Sequence, residues 1–246
     1  MKKRIIPAVL YDGKTVVKGS QFNNERTVGM VEATANLYAR RRPDEIFFLD
    51  INARKEKRGP NFEVFEYFAT KFDVPFAVGG GISSVEDAKR CITSGAEKVV
   101  LGSVAHSNPH LIEEISSQLG SQAVVVSVDF WDQEHFVYSN SGSVRTTKTI
   151  YEFLSQIQEL GAGEVLLQDI SRDGKLSGLN INMLRPVVEA ADVPVIASGG
   201  AGTPEHFLDA FEAGASGVAA GAMFQFTKFT PSDVAQFLKS KGLDVR

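Results

Sequence analysis

Two glycine-ended segments are the parts of this sequence that most clearly predict chemistry. Residues 74–84 and 193–203 match each other at a distance of 119 residues; each is an apolar run that stops on glycines and precedes an acidic, helix-forming stretch. Glycine lets the backbone approach a ligand closely, and the N–H groups at the start of the next helix point toward whatever lies there. The repeat therefore predicts two copies of a strand, an anion-binding loop and a helix.

These loops predict two phosphate sites at the carboxyl ends of strands. The first is predicted from Gly80, Gly81, Gly102 and Ser103, and the second from Gly199, Gly200, Gly221 and Ala222, with Asp173 and Gly174 in an adjacent loop. A phosphorylated small-molecule substrate with an anionic group at each end would bridge the two sites, held by backbone N–H groups. The alternative is that the glycines only allow tight turns and close helix packing.

One carboxylate stands at the end of an otherwise apolar run and is the candidate catalytic group. Asp129 ends residues 123–129, and the shift of 119 residues places Leu10 at the equivalent position of the first half. Two carboxylates on opposite sides of a substrate would suit general acid and base roles, but this chain has one of them. Asp12 either partly replaces the missing group or is the turn residue of the Asp12-Gly13 step, and the turn is our preferred interpretation.

The elements that must position these residues alternate regularly along the chain. Apolar, β-branched runs alternate with longer amphipathic stretches, which predicts parallel strands covered by helices. Eight strands are predicted, at residues 4–10, 46–51, 76–78, 98–102, 123–129, 165–170, 195–198 and 218–221. Because the last four repeat the first four, we predict one α/β domain over residues 1–246, a (β/α)8 TIM barrel of two duplicated half-barrels, about 1–120 and 121–246. The rival is an open doubly wound sheet, which needs a switch in strand order that an unbroken repeat does not suggest.

Four charged residues stand at or just before the starts of predicted strands. Arg4 and Lys98 are positive, and Glu45 and Glu164 are negative. Together they predict an electrically balanced cluster at the N-terminal opening of the barrel. From position alone, we interpret this cluster as a salt-bridged plug that stabilises that face.

The remaining candidates predict no metal site and no cofactor. The four histidines show no ligand spacing, and the one cysteine, Cys91, has no partner and is predicted to pack in a helix. The glycines at 79–81 lack the later glycine of a dinucleotide-binding motif. Residues 52–59 are either a solvated charged loop or an anion-gathering lid, and residues 131–145 are either a hairpin or a flap.

Composition argues against several classes of protein. Apolar residues make up 43% of the 246 residues and charged residues 23%, with a net charge of −4, as in globular proteins with a large core. The mild acidity predicts no nucleic-acid partner. One cysteine allows no internal disulfide, and an N-terminal apolar run of about six residues is too short for a signal peptide or a membrane span. We therefore expect a cytoplasmic protein with no membrane partner.

Segments spread over nearly the whole chain carry a specific resemblance to a known family. They are residues 4–6, 16–19, 48–51, 78–82, 120–126, 161–164, 173–174 and 196–202. In these segments the chain resembles the cyclase subunit of imidazole glycerol phosphate synthase, the HisF family. The resemblance implies a half-barrel-duplicated (β/α)8 protein of histidine biosynthesis, a lyase that works in a glutamine amidotransferase complex.

The resemblance also implies roles for the residues singled out above. The family receives ammonia from a glutaminase subunit, HisH-like, docked at the N-terminal face of the barrel, and uses it to cleave and cyclise a bisphosphorylated ribulosyl substrate at the other face. Asp129 matches one of its two catalytic aspartates, and the two glycine sites match its phosphate clamps. Arg4, Glu45, Lys98 and Glu164 match the charged gate of its ammonia channel, which makes the plug a functional element.

One departure from the family pattern changes the expected reaction. The second catalytic aspartate falls at Leu10, and the family's cyclisation needs proton transfer on both sides of the substrate. A charged gate without the second catalytic aspartate suggests a divergent branch of the family. This branch is similar to the cyclase-like proteins of bacterial surface-polysaccharide synthesis, which work with a glutaminase and a separate amidotransferase. Our first hypothesis is therefore nitrogen incorporation into an amidated sugar. The alternatives are the genuine histidine-pathway cyclase, with Asp12 serving where Leu10 cannot, and a non-catalytic scaffold that activates the glutaminase.

Overall fold

Eight strands pair in parallel around a closed barrel. The structure, a computed structural model, describes residues 2–71, 74–132 and 135–246. The barrel strands are β1 (Arg4–Tyr11), β4 (Ile46–Asp50), β5 (Phe76–Gly79), β6 (Lys98–Leu101), β7 (Val124–Phe130), β10 (Glu164–Asp169), β11 (Val195–Ser198) and β12 (Gly217–Ala220). They are neighbours in that order, and β12 pairs with β1 to close the barrel, with Arg4 opposite Gly217. The predicted (β/α)8 barrel is confirmed, and each predicted strand end lies within one residue of the observed one.

Two antiparallel hairpins rise from the carboxyl ends of β1 and β7. The first is β2 (Val16–Ser20) with β3 (Asn23–Gly29), and the second is β8 (Phe136–Ser139) with β9 (Val144–Thr149). The second confirms the hairpin interpretation of residues 131–145, of which 133–134 lie outside the described residues. The first was not predicted, because β3 is largely exposed and polar and lacks the apolar alternation of a half-buried strand.

The helices cover the outside of the barrel. They are α1 (Val31–Arg41), α2 (Phe62–Ala69), α3 (Val85–Thr93), α4 (Val104–Ser107), α5 (His110–Leu119), α6 (Ile150–Glu159), α7 (Ile181–Ala190), α8 (Pro204–Glu212), α9 (Ala222–Phe226) and α10 (Pro231–Ser240). Several begin at a residue whose side chain accepts a backbone N–H of the first turn, such as Ser84 before α3 and Thr149 before α6. These caps satisfy N–H groups that have no partner inside the helix. No helix of the described part of the chain is long and apolar enough to cross a membrane.

The core consists of an outer shell and a thin inner layer. Outward-facing strand residues pack against the helices and against one another. The Phe48 ring of β4, for example, lies 4.5 Å from the Phe68 ring of α2 and 5.4 Å from the Tyr11 ring of β1, measured between ring centroids. Inside the barrel, each of the eight strands contributes one apolar side chain to a separate cluster: Ile6, Phe47, Ala77, Val100, Val125, Leu166, Ile196 and Ala219. We call this cluster the apolar layer. Because side chains alternate along a strand, the residues two positions before and after it face the two open ends of the barrel.

Candidate functional site

The carboxyl ends of the barrel strands surround a cavity of about 660 Å³, which we call the mouth. Its lining includes Asp129 and all the predicted phosphate-binding residues: Gly80, Gly81, Gly102, Ser103, Asp173, Gly174, Gly199, Gly200, Gly221 and Ala222. We call Gly80, Gly81, Gly102 and Ser103 the first cradle, and Gly199, Gly200, Gly221 and Ala222 the second cradle. Asp12 is not part of the lining. The sequence therefore located the mouth, with one exception among its candidate catalytic groups.

The packing of the protein explains some glycines of the cradles but not all of them. Gly80 and Gly199 have φ values of 107° and 96°, and a Cβ on either would collide with the carbonyl oxygen of the equivalent aspartate, Asp50 or Asp169. Tight turning and crowding are therefore enough to explain these two glycines. Gly102 differs, because a Cβ built on it would meet no atom within 4 Å. Protein packing does not require glycine there, so this position is the one most open to the close approach of a ligand.

Asp129 lies on the inner face of β7 and opens into the mouth. Its Oδ1 accepts a 2.6 Å hydrogen bond from the Ser127 hydroxyl, which faces the same way on the strand. Burial raises the pKa of Asp129 to about 6; the Ser127 hydrogen bond acts in the opposite direction, and the negative charge of Asp173 adds to the increase. A carboxylate with a pKa this close to neutrality can both accept and return a proton, as a general acid or base must.

Leu10 takes the position facing Asp129, and Asp12 does not replace it. Leu10 lines the mouth from the inner face of β1, whereas β1 ends before Asp12. The Asp12 carboxylate accepts hydrogen bonds from the backbone N–H groups of Lys14 and Thr15, at 2.8 and 2.7 Å. Burial alone would raise the pKa of Asp12, but these hydrogen bonds lower it. The candidate catalytic role of Asp12 is therefore corrected: it is a turn residue, and the mouth has a single carboxylate of this pair.

Lys18 is a residue of the mouth that the site prediction missed. It lies on β2 with 2% of its side chain exposed, and its Nζ lies 2.8 Å from both carboxylate oxygens of Asp173. The first hairpin is also held by the Ser20 hydroxyl and the Gln21 N–H, which donate to the Asp173 carbonyl oxygen at 3.1 and 3.0 Å. The family resemblance could have indicated Lys18, because this residue falls in one of the segments that carry it. The pairing with Asp173 could not be read from sequence spacing, because the two residues are 155 positions apart.

A buried aspartate anchors the loop that follows each of two equivalent strands. The Asp50 carboxylate accepts from the N–H groups of Asn52 and Ala53 and from the Arg58 guanidinium, at 3.1, 2.9 and 2.9 Å. Asp169, its mate at a distance of 119 residues, accepts from the Ser171 hydroxyl at 2.6 Å and from Asn180 at 2.9 Å. Hydrogen bonds to a buried aspartate therefore hold both loops in place beside the cradles.

At the opposite end of the barrel, the four predicted charged residues form one closed ring. Arg4 lies 2.7 Å from Glu45 and 3.0 Å from Glu164, and Lys98 lies 2.8 and 3.0 Å from the same two carboxylates. Their side chains are only 2% to 16% exposed. Burial works against the charge of Arg4, but Glu45 and Glu164 outweigh it and raise the pKa of Arg4. The sequence placed this ring correctly, and we call it the charged ring.

The charged ring, the apolar layer and the mouth follow one another along the same strands. Arg4, Ile6, Ala8 and Leu10 succeed one another on the inner face of β1, and the same order holds on β10 from Glu164 through Leu166 to Gln168. One layer of apolar side chains thus separates the charged ring from the mouth.

Comparisons with known proteins agree with this arrangement. The family described as histidine biosynthesis protein matches residues 4–230. Curated relatives called imidazole glycerol phosphate synthase subunit HisF are 41% identical in Thermococcus onnurineus and 40% identical in Petrotoga mobilis and in Parabacteroides distasonis. Each comparison covers 100% of this chain and 98% or 99% of the relative. The chain belongs to the HisF family of histidine biosynthesis proteins.

Proposed function

We propose that this chain is the ammonia-using, cyclase-type subunit of a glutamine amidotransferase complex. In this proposal a glutaminase docks at the N-terminal face, ammonia enters through the charged ring, and a phosphorylated small molecule receives it in the mouth. The observation that carries the proposal is the order of three layers in one barrel: a balanced charged ring, a single apolar layer and a mouth with two glycine cradles and Asp129.

The apolar layer suits neutral ammonia and opposes ammonium. Moving an unpaired charge into apolar surroundings is costly, whereas a small neutral molecule meets a far lower barrier. The charged ring supplies hydrogen-bonding groups at the entrance, and its net charge of zero avoids trapping a cation there. Nitrogen would therefore reach the mouth as the nucleophilic, uncharged species.

The first reaction we assign to the mouth is the one named for the relatives, formation of imidazole glycerol phosphate. The two cradles would hold the phosphates of a bisphosphorylated ribulosyl substrate, one at each end, so that its reactive centre lies beside Asp129. Ammonia adds to the substrate, and Asp129 takes up and returns protons as the substrate is cleaved and cyclised. Lys18 and Asp173 line the same space and help to hold the first hairpin over it.

This assignment is tested with the purified chain, the bisphosphorylated ribulosyl substrate and an ammonium salt, so that no partner is needed. We expect imidazole glycerol phosphate to form faster than with a chain that lacks Asp129, as measured by chromatography of the products. Absence of turnover, with the substrate still bound, would remove this reaction and leave the second candidate. Absence of both binding and turnover, with the glutaminase still activated, would favour a scaffold.

Leu10 favours a second candidate, in which the ammonia is used for a different acceptor. With Leu10 in the mouth, the proton transfers needed on both sides of the cyclisation have one carboxylate available. Nitrogen incorporation into an amidated sugar, with a separate amidotransferase as a further partner, would keep the ring and the cradles while changing the chemistry at Leu10. Growth of a histidine auxotroph complemented with this chain would count against this candidate.

A change in the charged ring that keeps its net charge at zero should lower turnover with glutamine but not turnover with ammonium salt. Removing Lys98 alone leaves excess buried negative charge, which costs about 3–5 kcal/mol, so the variant of choice is Lys98→Met/Glu45→Gln. We expect turnover driven by glutamine and the glutaminase to fall about tenfold or more, while turnover driven by ammonium salt stays within about threefold, since free ammonia also enters from the mouth.

The control for this experiment makes the same two changes on the outer surface of α3, as Lys89→Met/Glu86→Gln. It should leave both rates unchanged. An unchanged ratio of glutamine-driven to ammonium-driven rates in the ring variant would show that ammonia does not pass through the charged ring.

A further inference from the structure

Three unpaired cations of the loop beside the first cradle have no counterpart lining the mouth at the second cradle, within the part of the chain that the structure describes. Residues 52–59, which we call the cationic loop, contribute Arg54, Lys55, Lys57 and Arg58 to the lining of the mouth. Arg58 is paired with Asp50 and Glu56 at 2.9 and 2.6 Å. Arg54, Lys55 and Lys57 make no ion pair with any residue that the structure describes.

The cationic loop is held against the first cradle. Buried Asp50 accepts hydrogen bonds from the start of the loop at Ala53 and from its end at Arg58, at 2.9 Å each. A Cβ built on Gly81 would lie 2.7 Å from the Arg58 carbonyl oxygen, so the loop backbone touches the cradle. Three cations without an ion-pair partner among the described residues therefore line the mouth next to the first cradle.

The second cradle has a different electrostatic environment. Two cationic residues flank it, and both are paired. The methylene carbons of Lys18 lie 3.4 Å from a Cβ built on Gly221, and Lys18 is paired with Asp173. The Arg172 Cβ lies 3.0 Å from a Cβ built on Gly200, and the Arg172 guanidinium is paired with Asp132 and Asp169. The equivalent loop of the second half contains Arg172 and Lys175, but these line a separate cavity of about 630 Å³. The two cradles are related by the repeat in their backbone but not in their charge.

We propose that the cationic loop and the first cradle form one continuous subsite for a diphosphate, two adjacent phosphoryl groups at the same end of the substrate. A single phosphate carries about −1.5 to −2 charges near pH 7, which backbone N–H groups at a cradle can accept without further cations. A second, adjacent phosphoryl group extends toward Arg54, Lys55 and Lys57. This inference rests on the second candidate of the proposed function, whose acceptor would carry the diphosphate, because a bisphosphorylated ribulosyl substrate has only one phosphate at each end.

The test compares the binding of pyrophosphate and inorganic phosphate to the full chain by isothermal titration calorimetry. We expect pyrophosphate to bind about tenfold or more tightly than phosphate, and the Arg54→Gln/Lys55→Gln/Lys57→Gln variant to lose that preference while its phosphate affinity stays within about threefold. A triple variant on another surface, Lys2→Gln/Lys239→Gln/Lys241→Gln, controls for the change in net charge and should retain the preference.

A second variant shows whether the two groups share one subsite. Gly102→Ala adds a methyl group to the open side of the first cradle without meeting another atom within 4 Å, so the fold should tolerate it. We expect it to weaken phosphate and pyrophosphate binding alike. The proposal is overturned if the wild-type chain does not prefer pyrophosphate, if the loop variant keeps the preference, or if Gly102→Ala leaves pyrophosphate binding unchanged. None of these binding results depends on which reaction the chain catalyses.

Discussion

Replacing Asp129 with asparagine is expected to lower turnover by about 10²- to 10⁴-fold while making the folded chain more stable at pH 7. The loss follows because asparagine keeps the shape of the side chain but cannot take up or return a proton. The gain follows because burial raises the pKa of Asp129 from 3.8 to about 6, so ionising this group at neutral pH costs the native state up to about 3 kcal/mol.

The sign of the stability change with pH is fixed by the direction of that pKa shift. Between pH 4 and pH 6 the native state binds more protons at Asp129 than the unfolded state does, so wild-type stability falls as the pH rises through this interval. Asp129→Asn should therefore match the wild type below about pH 4 and exceed it above about pH 6. Urea unfolding at several pH values measures the difference.

A matched control separates chemistry from the loss of a negative charge in the mouth. Glu25 also lines the mouth, is exposed, and makes no ion pair with a described residue. Glu25→Gln should keep turnover within about threefold of the wild type. If Asp129→Asn kept full turnover, or lost stability as a structural carboxylate would, the catalytic role of Asp129 would be wrong.

Ser127 offers a further check through the pH dependence of the rate. If Asp129 acts as the base, kcat/KM of the wild type rises with pH through about 6, the pKa of this group. Ser127→Ala removes the 2.6 Å hydrogen bond that lowers the pKa of Asp129. The inflection should therefore move to higher pH, and an inflection that stays in place would mean that another group titrates.

The barrel could be predicted from sequence because its information is local and repeated. Each barrel strand is a short apolar run whose ends are marked by a change of composition, and the shift of 119 residues lets one half check the other. The first hairpin carries no such signal, because β2 and β3 lie above the barrel and β3 has few apolar residues to bury. It forms through its connection to β1 and through contacts with Asp173 that sequence spacing does not encode.

The candidate site could be predicted only where the position of a residue along a strand determines the direction of its side chain. Strand alternation brings the charged ring together at one end and places Asp129 and Leu10 at the other, and these predictions agree with the structure. Asp12 could not be placed in this way, because it lies one residue beyond the end of β1, where the strand alternation no longer applies. Its carboxylate instead accepts hydrogen bonds from backbone N–H groups of the turn. The difference in charge between the two cradles needed the structure, because it depends on which cavity each loop faces.

Restoring a carboxylate at Leu10 is the change with the largest expected gain. We expect Leu10→Asp to raise turnover of the bisphosphorylated ribulosyl substrate with ammonium salt by about 10²-fold or more, because it supplies the second proton-transfer group. Leu10 lies on the inner face of β1 beside Leu49 and Val17, so the new carboxylate would be partly buried and its pKa raised. A group shifted in this direction can serve as the acid opposite Asp129.

Leu10→Asn is the matched control, since it introduces a polar side chain of the same size that cannot transfer a proton. Its turnover should remain at the wild-type level, and the Leu10→Asp/Asp129→Asn variant should lose most of the gain, because the two carboxylates act on opposite sides of one substrate. An equal gain in Leu10→Asn would show that the side chain acts by polarity or space. If the turnover of Leu10→Asp does not exceed that of the wild type, Asp129 alone suffices for the cyclisation, and Leu10 is no obstacle to imidazole formation in this barrel.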